Sequence, residues 1–283
     1  MSLRKSVLTG VSAIALSLGL AYSANANPAL PVTNIAFNML TNSLTQAKDF
    51  FNTVGPIGWS VGTAGADGSL TYVGEQGSEG FTGSPGNIYP VYAANTTPAT
   101  AGPGFSVTVP AGTNFFQADG NPDFENTIFQ TVSGLSVGQK YDLSFQQAAG
   151  QQVGFSGMTS EEWKVFLGQG GIGVNCSTNP CTVTNPHGDE EVDSTLMNTP
   201  SMSNVDWNFQ TLTFTADATS EVLTFLAWGD NGSTTNLPPT VFLEGVNTTP
   251  TVPEPATLSL LGVGLLGLGG IGWRRRNKSS AAA

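Results

Sequence analysis

Apolar and polar residues alternate with period two along much of this chain. Phe105–Val109 alternates in this way, as does the longer stretch Trp207–Thr215. In Lys140–Gln146 the residues Tyr141, Leu143 and Phe145 fall on one face. Further runs rich in β-branched and aromatic residues are Thr127–Val132, Trp163–Leu167, Glu221–Trp228 and Val241–Val246. Such alternation buries one face of a strand and leaves the other to solvent. Gly, Asn, Asp and Pro clusters separate the runs and mark turns. Ser133–Tyr141 reads as strand–turn–strand, with Gly134 and Gly138 at the tight positions. Many short strands and few helices predict an all-β fold, an antiparallel β-sandwich of the jelly-roll kind. One helix is expected, Leu40–Phe51, in a stretch closed by Gly55-Pro56. No internal repeat is evident.

The two ends follow different patterns. Residues 1–26 read as a secretory signal peptide: Arg4 and Lys5, an apolar stretch from Val7 to Leu20, and the small-residue site Ala24-Asn25-Ala26. The body is expected at 27–248 and a linker at 249–255. Residues 256–273 form an uncharged apolar run, near the lower limit for a transmembrane helix. The basic tail 274–283 would stay cytoplasmic, with Trp273 at the interface. The body would then face away from the cytoplasm, anchored until processed.

Pro253-Glu254-Pro255, one short span and the cluster Arg274-Arg275-Arg276 together resemble the PEP-CTERM sorting signal. The resemblance implies an exosortase as partner, a membrane cysteine transpeptidase that removes the span. The body would contact the membrane transiently through that helix, then pass to the cell surface or extracellular matrix. The class belongs to Gram-negative-type bacteria that make exopolysaccharide. Within the body, Gly58-Trp59, Ala118-Asp119-Gly120, Gly134-Leu135, Tyr141–Phe145, Ala148–Gln152, Gly157–Trp163, Leu223–Ala227 and Phe242–Val246 occur in order. That order resembles PEP-CTERM proteins with a galactose-binding-domain-like jelly roll, over about residues 38 to 248. The resemblance implies glycan binding as a class tendency. Glu244 stands where that family often has Asp, which weakens any metal or turn role there.

Charge narrows the partners. The chain of 283 residues holds 9 Lys+Arg against 20 Asp+Glu, a formal −11. Once both ends are removed, Lys48, Lys140 and Lys164 face nineteen carboxylates, leaving −16. A nucleic-acid partner is excluded, because phosphate binding needs a basic surface. An anionic polysaccharide would need bridging cations, whereas a neutral glycan meets no such barrier.

Candidate chemistry is sparse. Cys176 and Cys181 are the only cysteines, and an exported pair at this spacing is expected to form a structural disulfide. His187, the only histidine, sits in a polar turn-like segment, and no Gly-x-Ser-x-Gly elbow accompanies it. Asp119, Asn121, Asp123 and Glu125 are dense in hard oxygen ligands and are candidates for a structural calcium, the alternative being an Asx-rich turn. No cofactor is required. Trp59, Gln147, Gln151, Gln152, Glu161 and Trp163 are the candidates for a glycan-binding face, since sugar rings stack on aromatics and hydroxyls pair with amides and carboxylates. Phe155 and Met158 could add an apolar rim. Nothing pairs two carboxylates as a glycosidase needs, and no catalytic residue is assigned. The expected function is a non-catalytic surface or matrix protein that binds exopolysaccharide. The alternatives are a purely structural biofilm component and a glycan hydrolase.

Overall fold

The computed structural model describes residues 26–44, 48–50, 54–62, 70–75, 91–92, 114–124, 127–234 and 237–247. The signal residues 1–25, the Phe105–Val109 run, Glu125, the linker 249–255, the apolar run 256–273 and the basic tail lie outside them. Among the described residues no helix is long and apolar enough to cross a membrane.

The strands are β1 (Lys48–Phe50), β2 (Ser60–Val61), β3 (Thr71–Glu75), β4 (Asn114–Asp119), β5 (Thr127–Ser133), β6 (Lys140–Gln151) and β7 (Thr159–Gly168). They continue as β8 (Gly173–Asn175), β9 (Thr182–Thr184), β10 (Glu190–Asp193), β11 (Met197–Thr199), β12 (Asn204–Thr215), β13 (Ser220–Gly229) and β14 (Pro239–Glu244). One sheet has the order β1-β3-β4-β14-β6-β12, and the other β10-β7-β13-β5-β2, with β11 also on β7. The paired strands run antiparallel throughout. From β4 to β7 and again from β12 to β14, each successive strand changes sheet, which is how a jelly roll winds.

The all-β expectation is met, and one element is corrected. The predicted helix over Leu40–Phe51 is absent: Lys48–Phe50 is strand β1, paired with β3. Leu40 instead forms an isolated antiparallel bridge with Pro56, and the Thr41 N–H donates to the Gly55 carbonyl at 2.9 Å. Pairing with a neighbouring strand has overridden local helix preference here.

The two sheets face each other across an aromatic core. Phe145 of β6 meets Phe225 of β13 edge-on at 5.3 Å between ring centroids. Trp163 of β7 lies 5.9 Å from Phe225 and 6.0 Å from Phe116 of β4. Its indole N–H donates to the Phe242 carbonyl of β14 at 3.0 Å, tying one sheet to the other. The β5–β6 turn depends on Gly134 and Gly138, with φ of 84° and 79°, where a side chain would be strained.

The outer face of the second sheet carries a smaller layer. Phe166 of β7 and Leu226 and Trp228 of β13 point outward and are covered by Ile172, Val174 and Val183 of the β8–β9 hairpin. Cys176, just after β8, and Cys181, just before β9, are joined by a disulfide across the connection between the two strands.

Candidate functional site

The residues expected to form a sugar-binding face do not lie on a surface. Trp163 is 0% exposed and belongs to the main core. Trp59 is also buried, against Phe37 at 5.4 Å and Phe225 at 6.2 Å. Gln147 and Gln151 are buried with their amide N–H groups spent on the chain itself. Gln147 donates to the Thr195 carbonyl at 2.8 Å. Gln151 donates to the Gly157 carbonyl at 2.9 Å and accepts from the Met202 N–H at 2.8 Å. Glu161 is 0% exposed and points inward, while Gln152 is half-buried. Of the rim residues, Phe155 is half-buried and Met158 is exposed. These groups therefore cannot together stack or hydrogen-bond a glycan.

The acidic loop after β4 is accounted for by its own backbone. The Asp119 carboxylate accepts from the Asn121 N–H at 2.8 Å, and the Asn121 side chain accepts from the Asp123 N–H at 3.0 Å. These are successive Asx turns. Asp119 lies buried near Tyr72, whose phenol is pushed above its usual range by burial and by the Asp119 charge. Asp123 approaches Cys176 and Cys181 closely, but both sulfurs are committed to the disulfide and offer no thiolate.

An open groove lies elsewhere, along the outer face of β5 and β13. It consists of two depressions of about 490 Å³ each that share Gln169 and Val222. One is lined by Thr131, His187, Asp189 and Glu221, the other by Phe129, Ile172, Thr184 and Thr224. The half-buried Phe129 supplies an aromatic surface, and Gln169 is exposed between the two halves. This mixture of one aromatic, an amide, hydroxyls and carboxylates suits polyhydroxylated rings.

The groove carboxylates hold its loops in place. Asp189 is 8% exposed, and its oxygens accept from the Gln169 N–H at 2.9 Å and the Gly170 N–H at 2.7 Å. Gly168 makes room for it, since a Cβ there would sit 2.4 Å from the Asp189 carboxyl carbon. Asn185 braces the same residue, accepting from its N–H at 2.8 Å and donating to its carbonyl at 2.9 Å. Glu221, 4% exposed, accepts from the Asp217 and Ala218 N–H groups at 2.9 and 3.2 Å. Burial raises its pKa, the two N–H groups oppose that, and the charges of Asp217 and Asp189 add to it.

A second group of carboxylates sits inside one end of the sandwich. Glu161 accepts from the Thr159 hydroxyl at 2.9 Å through one oxygen, and Asp230 accepts from the Ser160 N–H at 2.9 Å. Burial pushes the Glu161 carboxyl up to about 8; Thr199 and Thr159 oppose the shift and Asp230 adds to it. Burial also raises Asp230.

Sequence reasoning does not single out Gln169, Asp189 and Glu221, which come from the loop after β7, the segment before β10 and the start of β13. The inward direction of Gln147 and Gln151 was available, since both share the parity of Tyr141, Leu143 and Phe145 along one strand.

Residues 251–276 match the PEP-CTERM protein-sorting motif. None of the curated proteins matches the chain. Among solved structures, the enzymatically active domain of bacteriophage CBA120 tailspike protein 4 is similar at 10% identity with a TM-score of 0.33, over 67% of this chain and 19% of that one. TmCBM61, solved with β-1,4-galactotriose, is similar at 12% identity and a TM-score of 0.31, over 72% of this chain and 95% of that one. The K1 cleaved adhesin domain of Lys-gingipain from Porphyromonas gingivalis W83 gives 13% identity and a TM-score of 0.32, over 70% and 94%. The similarity is weak in each case.

Proposed function

We propose that this protein is exported, sorted by an exosortase, and binds a neutral exopolysaccharide without catalysis at the cell surface or in the matrix. The sorting motif at 251–276 carries the reading of its fate. The groove beside Phe129 and Gln169 supports the reading of its ligand. A body of formal charge −16 favours an uncharged polymer over an anionic one. The groove carboxylates argue against hydrolysis: Asp189 uses both oxygens and Glu221 one of its two on backbone N–H groups, whereas glycosidases keep two carboxyl groups free to face the scissile bond.

A screen of the purified protein against neutral and acidic glycans, followed by calorimetry, tests the proposal. Phe129→Ala and Gln169→Ala should each weaken binding about tenfold, the loss of one good stacking or hydrogen-bonding contact, with little change in melting temperature. Failure to bind any neutral glycan at millimolar concentration would leave the purely structural matrix role. Release of new reducing ends would favour the hydrolase.

A further inference from the structure

We infer that the β8–β9 hairpin is a flap locked by its disulfide, and that forming the Cys176–Cys181 bond completes the apolar half of the groove after export. The hairpin has little backbone support of its own. β8 and β9 pair with each other and with no other described strand, through Gly173 with Thr184, Val174 with Val183 and Asn175 with Thr182. A two-stranded hairpin this short is marginal in water. The disulfide follows directly on the last of those pairs and closes the connection 177–180. At the other end the chain enters through Gly170 and Gly171, with φ of 81° and 77°, and leaves through Gly188, with φ of 70°. Glycine has the widest backbone freedom, so both attachments can act as hinges.

The flap serves two surfaces. Its Ile172, Val174 and Val183 cover Phe166, Leu226 and Trp228. Ile172, Gly173 and Thr184 also line the depression that holds Phe129. The Cys181 N–H donates to the Gly232 carbonyl at 2.7 Å, which pins the closed hairpin to the segment after β13. In a reducing compartment both cysteines are thiols, and the three strand pairs and the apolar underside must hold the flap alone. After export a disulfide-bearing oxidant supplies the lock. The thiolate of Cys176, half-buried where Cys181 is buried, attacks one sulfur of the oxidant and expels a thiolate. The Cys181 thiolate then attacks the Cys176 sulfur, forming the bond and expelling the second thiolate. The protein loses two electrons and two protons, and the oxidant leaves as a dithiol. The link to ligand rests on the groove being the glycan site; the locking of the flap does not.

The test compares the whole purified protein oxidised, reduced with dithiothreitol, and carrying Cys176→Ser with Cys181→Ser, which needs no reductant. Alkylation and intact mass fix the thiol state of each. Amide exchange in β8 and β9 should quicken at least about tenfold without the disulfide, and stay well ahead of exchange in β6 and β13. Acrylamide should quench tryptophan emission more strongly after reduction, and the increase should vanish in Trp228→Phe. Any glycan of the neutral panel that the oxidised protein binds should bind both unlocked forms at least about tenfold more weakly. Unchanged exchange in β8 and β9 would overturn the lock, as would a hairpin and core that exchange at one common rate. Undiminished glycan binding by a loosened hairpin would overturn its role as a groove wall. Absence of glycan binding in every form would instead sink the ligand reading, and the exchange rates would still decide the lock.

Discussion

Asp189 and Glu161 are both buried carboxylates in an acidic body, but their surroundings differ. Asp189 closes a loop onto the sheet, each of its oxygens taking a backbone N–H, with Asn185 holding its main chain. Glu161 has only the hydroxyls of Thr159 and Thr199 as partners, next to a second carboxylate, Asp230. The first is a clasp that holds a loop against the sheet. The second is kept largely protonated near neutral pH by its burial. Burial alone therefore does not set a carboxylate's role; the donors it receives matter as well.

The largest contrast should appear with pH. Glu161 is held near 8 in the folded chain against an ordinary value of 4.5, so the folded state binds its proton more tightly. Its contribution is fully present below about pH 4.5 and is lost as pH rises through about 8. Between those limits the stability of the unmutated protein should fall relative to Glu161→Gln by about 3–5 kcal/mol, read from urea melts at each pH. Parallel pH profiles for the two proteins would show that Glu161 does not titrate in this way. Next in size, Asp189→Ala should cost about 2–4 kcal/mol at neutral pH, because it strands the Gln169 and Gly170 N–H groups. It should also loosen the groove wall, seen as faster amide exchange at those two residues. The smallest effect belongs to Lys164→Met. Its partners Glu191 and Asp193 are well exposed, so the cost should be at most about 1 kcal/mol and should shrink further in high salt.

Strand parity made much of the fold legible. The alternation in β6 appears in the structure with Tyr141, Leu143 and Phe145 inward, because a half-buried strand writes its period directly into the chain. The short strands β8 to β11 left no such signal, since three or four residues do not establish a period. Trp163 was assigned to a sugar platform because a tryptophan in a strand reads alike from either face. Its direction is fixed by the Phe242 carbonyl, some eighty residues later in the chain. The same parity rule carried two positions beyond Phe145 and Trp163 would have turned Gln147 and Glu161 inward. The groove was illegible for a different reason: Phe129, Gln169 and Glu221 meet only once β5, the loop after β7 and β13 are assembled.

The position of β14 has a consequence for the order of events in the export proposed above. It is the last strand of the body, yet it lies inside the first sheet, hydrogen-bonded to β4 on one side and β6 on the other. Until Pro239–Glu244 is available, that sheet remains split in two and the Phe242 carbonyl is missing from Trp163. Only six residues separate Glu244 from the start of the sorting motif at 251. In a chain threaded from its N-terminus, the sandwich therefore closes only as the sorting motif arrives. Completion of the fold and presentation of the motif become a single moment, so that a molecule offered for sorting has already had the chance to finish folding.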